Sequence, residues 1–240
     1  DPSVMLDFNL FTFNGKAFDI PLLETRFTLS RIAPAFEEKT HLDLLMPARR
    51  MWRQSIGSCS LGSLEYHLLQ VRRDQQDIAG FLIPQLYREY LQSGADELSD
   101  DMNRVMYHNL LDILSMVTLT GRLCDAIFQP RDAREHYAAG GFHERAGEAD
   151  AAEQSYRQAA DAADATQSDV TRRIAFLLKR QKRHTEARAQ WQRLADHDDE
   201  AGLVELAKHY EWRECDFTQA LAYALRARAV CKDRARIADI

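Results

Sequence analysis

Three alanines, Ala152, Ala187 and Ala220, stand 35 and 33 residues apart, and similar residue types recur around each. The first copy runs Gly140, His143, Gly147, Ala152, Tyr156, Ala159. The second reads Ala175, Leu178, Ala187, Trp191, Leu194. The third, Ala207, Ala220, Ala224, Ala227, carries about one inserted residue within 211–216. Small residues at fixed spacing let paired helices approach closely, and the aromatics fill the gaps between them. One such pair cannot bury its apolar face alone, so pairs must stack on one another. No proline follows Pro130, which agrees with uninterrupted helix in this half.

The period is close to the roughly 34 residues of tetratricopeptide repeats, which residues 131–231 resemble. The composition changes near Gln129-Pro130. Aromatic and β-branched runs with most of the prolines come before it, and Ala, Arg, Glu and Gln dominate after it. The expected division is a first domain over 1–129 and an all-α repeat domain over 130–240.

The first part mixes strands and helices. Residues 9–13 read as a buried strand that turns into a helix over 21–28, and 40–45 as a second short strand. Helices are expected over 47–54, over 61–69 with Ser60 as its cap, and over 83–91 entered by Pro84, a good first-turn residue. A long helix is expected over 100–119, with Met102, Val105, Met106, Leu110, Ile113, Leu114 and Val117 on its apolar face. Two strands are too few for a free-standing α/β sheet. The sheet is therefore expected to be completed by sequence upstream of Asp1 or by another chain. The N-terminus lacks an initiator Met and a signal peptide, which suggests a processed or truncated chain.

The strand-to-helix junction holds Phe13-Asn14-Gly15-Lys16-Ala17-Phe18-Asp19. It puts the carboxylate of Asp19 where α/β proteins hold ligands. This stretch resembles the second acidic motif of the ribonuclease-H-like DEDD exonucleases, most of all their YprB-type branch. His108-Asn109-Leu110-Leu111-Asp112 resembles the third motif, with His108 where that branch usually has Tyr. In the more familiar His variant the His is one residue further from the acid, at Tyr107, so either side chain can face the water. On a helix His108 and Asp112 share a face. Four further stretches resemble the same branch: Cys59-Ser60-Leu61-Gly62-Ser63-Leu64-Glu65, Asp77-Ile78-Ala79-Gly80, Ile83-Pro84 with Tyr87 and Tyr90-Leu91, and His41-Leu42-Asp43-Leu44-Leu45 with Ala48-Arg49.

The resemblance, over about 9–120, implies an α/β ribonuclease-H-like fold and a 3′→5′ exonuclease acting on DNA or RNA. It implies Mg²⁺ or Mn²⁺ held in part by Asp19 and Asp112, with His108 orienting or deprotonating water. Asn14, Lys16 and Asn109 would then touch nucleic acid. The first motif, Asp-x-Glu, is missing, because only Asp1 and Asp7 precede Asp19. The chain by itself is therefore expected to be inactive.

Plainer readings compete with these roles. Asp19 could simply cap its helix, His108 could be an ordinary histidine, Asp43 either sits at a strand end near the cleft or is solvated, the solvated reading being preferred, and Glu65 reads as solvated. Alternating charge over 144–153 suits a solvated helix. The basic cluster Arg172, Arg173, Lys179, Arg180, Lys182, Arg183, Arg188 and Arg193 is either a phosphate-tracking surface or a face neutralised by nearby acids. Tyr156 and Trp191 read as repeat core and Trp212 as a groove residue; Cys215 and His209 lack metal spacing.

Net charge is -6, against bulk affinity for nucleic acid. The four cysteines show no C-x-x-C spacing, so neither zinc nor a disulfide framework is indicated. Reduced thiols and the absence of a long apolar run point to a cytoplasmic chain away from the membrane. The rival to a nuclease is a non-catalytic scaffold whose repeats grip a protein or peptide beside a degenerate nuclease domain. A nucleic-acid-binding module without turnover is a third possibility.

Overall fold

The computed structural model describes residues 10–33, 40–73, 78–94, 99–161 and 167–231. Asp1, Asp7, Asn9 and Asp77 lie outside the described residues. The chain divides into two compact units, Asp1–Asp125 and Ala126–Ile240.

In the first unit, β1 (Leu10–Thr12) and β2 (His41–Asp43) pair in parallel, Phe11 opposite Leu42. Parallel neighbours need a crossover between them, and α1 (Asp19–Leu29) lies in that connection. Leu44 N–H donates to the Thr12 carbonyl at 2.8 Å and so carries the ladder one residue past β2. The second strand is shorter than expected because Leu45 already opens α2 (Leu45–Ile56). Pro47 sits in the first turn of α2, where its missing N–H has no intrahelical partner to lose. Leu45, Ala48, Met51 and Trp52 are the buried stripe of α2.

Ser60 caps α3 (Leu61–Leu64), its hydroxyl accepting from Ser63 N–H at 3.3 Å. The expected single helix over 61–69 instead widens at Glu65–Leu69 into a π turn, closed by Gln70 in the left-handed region. A 3₁₀ turn at Gly80–Leu82 leads into α4 (Ile83–Ser93), with Pro84 in its first turn.

Helix α5 (Asp100–Phe128) runs past the expected end at residue 119. Leu119, Leu123 and Ala126 keep a buried face at helical spacing, and nothing breaks it before Gln129-Pro130. The guanidinium of Arg122 lies 5.5 Å from the Trp52 ring centre and ties α5 to α2. Of the apolar face expected on α5, only Met102 is fully buried. Helices α1 and α4 contain no buried residue.

The second unit is a run of helices: α6 (Ala133–Ala146), α7 (Ala149–Asp161), α8 (Gln167–Arg180), α9 (His184–Asp196), α10 (Glu200–His209) and α11 (Phe217–Val230). Each packs on the next in sequence. Ala152, Ala187 and Ala220 are all buried, as are Tyr156 and Trp191. A Cβ on Gly140 would fall 2.6 Å from the Tyr156 ring, and one on Gly202 would fall 2.6 Å from Leu194 Cβ. Small residues thus stand where a neighbour intrudes. A second π turn, Tyr210–Glu214, lies where the sequence carries its inserted residue. Widening a helix by one residue is how a single insertion is absorbed without unwinding it.

Acids partner most of the basic cluster. Arg183 binds Glu153 at 2.5 Å, Arg172 binds Asp199 at 2.5 Å and Arg188 binds Glu214 at 3.0 Å. Lys179 pairs with Glu205, and Arg180 with Glu144. Glu144 and Glu153 are not solvated, contrary to the charge alternation. Glu144 also accepts from the Tyr156 hydroxyl at 2.7 Å, and Glu153 is buried. Burial works to raise the pKa of both, but the hydrogen bonds and cations outweigh it and hold both below the ordinary carboxylate range. Trp212 is 70% exposed beside a small pocket that includes His184 and Trp191. No helix among the described residues is long and apolar enough to cross a membrane.

Candidate active site

The junction after β1 is set by Asn14 and Gly15. Asn14 adopts φ 65°, a left-handed conformation that asparagine tolerates better than most. A Cβ on Gly15 would fall 2.4 Å from Thr12 Cβ. Asp43, at the end of β2, fastens this turn. Its Oδ1 accepts the N–H of Asn14 at 2.8 Å and of Leu45 at 3.1 Å, and its Oδ2 accepts the N–H of Lys16 at 3.0 Å. Asp43 is only 8% exposed. The solvated reading of this acid is therefore wrong: strand pairing brings two loops together, and its carboxylate satisfies three of their amides. His41 Nε2 lies 2.8 Å from Thr12 Oγ1 across the same strand pair.

The turn delivers Asp19 to the first residue of α1. The cap position belongs to Phe18, with no side-chain capping bond, so Asp19 does not cap the helix. Its exposed carboxylate stands at the positive end of the helix dipole.

Asp19 lines a cleft of about 1070 Å³ in the first unit, and so do Asn14, His108, Asn109 and Asp112. Lys16 is not in that lining, although its backbone is held nearby. Tyr107 is absent from it as well, so of the two candidates only His108 faces the cleft. Arg49, Arg53 and the loop Gly57-Ser58-Cys59-Ser60 also line it. Burial raises the Cys59 thiol pKa, with Arg49 and Arg53 pulling the other way.

His108 and Asp112 belong to a four-residue network, and the sequence reading missed its other two members, Glu65 and Arg73. Glu65, 1% exposed, receives a two-pronged bond from Arg73: Nε to Oε2 at 2.7 Å and Nη2 to Oε1 at 2.6 Å. The same Nη2 donates to Asp112 Oδ1, and Nη1 reaches His108 Nδ1 at 3.1 Å. His108 Nε2 lies 3.4 Å from Asp112 Oδ2, one helical turn on. A guanidinium only donates, so Nδ1 of His108 must be the acceptor and its proton sits on Nε2. The hydrogen bond to Glu65 raises the Arg73 pKa, burial opposes it, and Asp112 adds to the rise.

The two ends of Arg73 differ in strength. Removing one partner of a buried pair such as Glu65–Arg73 costs about 3–5 kcal/mol. The Asp112 carboxylate is 34% exposed, and exposed ion pairs are worth about 0.2–1 kcal/mol. The solvated reading of Glu65 is overturned by its place in the fold. It follows Leu61 and precedes Leu68 and Leu69 at helical spacing, and a charge within an apolar stripe was the signal for a buried partner.

Asp19 and Asp112 offer carboxylate oxygens, the donors that Mg²⁺ and Mn²⁺ favour. Among the described residues, however, no three His, Cys, Asp or Glu side chains come together closely enough to hold a metal ion. The donor type suits such an ion while the number falls short.

The chain is 32% identical over 225 residues to Uncharacterized protein YprB of Bacillus subtilis (strain 168). The match covers 90% of this chain and 54% of that protein, so the chain spans about half the length of the curated relative it matches. Residues 6–124 match the RNase_H superfamily, a stretch that contains both strands, the cleft and the Glu65–Arg73–Asp112 network. The first part of this mostly helical chain is accordingly similar to domains of the ribonuclease-H superfamily.

Proposed function

We propose that the protein is a nuclease, a metal-dependent 3′→5′ exonuclease on DNA or RNA in its full-length form, with this chain alone inactive. The observation that carries the reading is the meeting of Asp19, His108 and Asp112 in one cleft of a domain similar to those of the ribonuclease-H superfamily. Asp19 and Asp112 would hold Mg²⁺ or Mn²⁺, assisted by acids from outside the described residues. When bound, such ions activate water and neutralise charge on the leaving oxygen. His108 orients that water, and once Nδ1 is free it can accept a proton there. Asn14 and Asn109 offer amide groups to nucleic acid along the same wall, and Arg49 and Arg53 supply positive charge for phosphates. Lys16, outside the lining, would reach only flanking nucleotides.

Residues 130–240 are read as tetratricopeptide-like repeats that hold a protein or peptide partner, in a cytoplasmic protein. The spacing of Ala152, Ala187 and Ala220 and the stacking of successive helices support this. The test is metal-dependent cleavage of labelled single-stranded DNA and RNA by the full-length protein. Loss of cleavage in both Asp19→Asn and Asp112→Asn is expected. Unchanged cleavage in either would refute the assigned site.

One observation favours a second reading. Asp112 is neutralised by Arg73, as in a degenerate nuclease domain carried by a repeat scaffold. Full-length protein that binds nucleic acid or a peptide but never cleaves, with either metal, would establish that alternative.

A further inference from the structure

We infer that the helical unit holds single-stranded nucleic acid at Trp212, with one base stacked on the indole and the adjoining phosphate taken by Arg213 and Lys208. The inference goes beyond the nuclease reading and does not depend on it, because the site lies wholly in the second unit.

The π turn Tyr210–Glu214 carries Trp212 and Arg213 on the surface. Such turns widen a helix locally and recur at functional sites. This one is fastened at both ends. The Tyr210 ring stacks on Tyr223 with centres 5.5 Å apart, and Arg188 donates to the Tyr210 hydroxyl at 2.9 Å. Glu214 pairs with Arg188 at 3.0 Å and with His209 at 2.9 Å. Between these anchors Trp212 is 70% exposed and makes no hydrogen bond or ring contact among the described residues. A ring presented on a fixed turn is already ordered, which lowers the entropy cost of stacking on it.

Beside the indole is a pocket of about 130 Å³, with buried Trp191 in its wall and four cations in its lining: Lys179, Arg188, Lys208 and Arg213. Lys179 and Lys208 share Glu205, and Arg188 uses Glu214. Arg213 has no carboxylate partner among the described residues. It donates instead to His184 Nε2 at 2.9 Å, which must be the lone-pair nitrogen because a guanidinium only donates. The excess of positive charge is felt at His184, whose pKa is lowered by desolvation and then by Arg213, His209 and Lys179. A phosphodiester supplies the missing negative charge.

The lining also separates a nucleic acid from an acidic peptide. It contains no Asn, Gln, Ser or Thr that could fix a peptide backbone. A bare indole next to cations is the combination that stacks a base and neutralises its phosphate, without regard to sequence.

The experiment titrates the 240-residue chain, without divalent ions, with a labelled oligothymidylate about ten nucleotides long. Label anisotropy reports affinity and tryptophan emission reports stacking. Wild type is expected to bind with quenched emission. Trp212→Ala is expected to bind about tenfold more weakly, the loss of one base stack, and to show no quenching. Lys208→Gln/Arg213→Gln keeps the ring and leaves Lys179 on Glu205. Its log affinity is expected to fall less steeply with log salt, by about 0.7 for one phosphate contact on a single strand. Absent quenching in wild type, or unchanged affinity in Trp212→Ala, overturns the inference. So does an unchanged salt slope in the double variant, which decides alone if Trp212→Ala fails to fold. Polyglutamate that quenches wild type and displaces the oligonucleotide at equal charge assigns the pocket to an acidic peptide and overturns nucleic acid as its occupant. None of these outcomes bears on Asp19 or Asp112, so the nuclease reading stands or falls separately.

Discussion

The two units close their cores by different means. In the helical unit, Tyr156 fills the space above Gly140, Trp191 packs on Phe176, and each helix rests on the next in sequence. In the α/β unit, a three-residue strand pair and the buried stripe of α2 do most of the work. Helix α1 leaves Leu22 and Leu29 exposed, and α4 leaves Tyr87 and Leu91 exposed. A two-stranded sheet is marginal by itself, whereas stacked helix pairs gain stability with each neighbour. The lesson is that the candidate site lies on the more sparsely packed unit, and the densely packed one is a stack of helices.

The largest expected effect tests the dense half. Tyr156→Ala removes a nearly fully buried ring and its bond to Glu144, a loss of about 3–5 kcal/mol for a large aromatic. Hydrogen exchange should then rise in α6 and α7 and stay unchanged in α2. Equal loosening of both units would break the contrast.

Next comes the sparse half. Asp43→Ala strips the acceptor from three amides, and with charged bonds worth about 1.5–3 kcal/mol each at most, a net loss of about 2–3 kcal/mol is expected. It should appear as faster exchange at Asn14 and Lys16 and as a lower urea midpoint for the α/β unit alone.

Gly140→Ala is a smaller probe. Its new methyl meets the Tyr156 ring, and such overpacking costs about 1–3 kcal/mol. Thermal melting of the helical unit should drop. An unchanged melt would mean that the ring moves freely, and the packing argument would fail.

The smallest effect is acidification. The folded pKa values of Glu144 and Glu153 lie below their ordinary value of 4.5. Their ionised forms therefore support folding above that pH, and the support is lost as pH falls through the depressed folded values. Melting of the helical unit followed from pH 6 to pH 3 should decline, and less so in Glu144→Gln/Glu153→Gln.

Legibility followed the same divide. The helical character of the second half was readable because neighbours in sequence are neighbours in space. The turn at Asn14-Gly15 was readable from local chemistry. Roles that depend on distant pairing were not. Whether Asp43 meets water or amides depends on a turn 29 residues away, which the pairing of Thr12 with Asp43 brings beside it, and no local pattern carries that. Glu65 looked like an ordinary surface charge because its partner, Arg73, is brought back to it across the turn that closes at Gln70, and Arg73 itself drew no attention because Asp112 comes from α5. The end of α5 was misjudged for a different reason: the reading stopped at Leu119 although Leu123 and Ala126 keep its period.

The three amides on Asp43 bear on any survey of substitutions in this protein. An acid at the end of a strand, beside a cleft already holding two carboxylates, invites counting as a third ligand. Replacing it would let the Asn14 turn drift and carry Asp19 with it. Activity would vanish as though a metal ligand had gone, and only a structural readout would reveal that the hinge pin, not the catalyst, had been pulled.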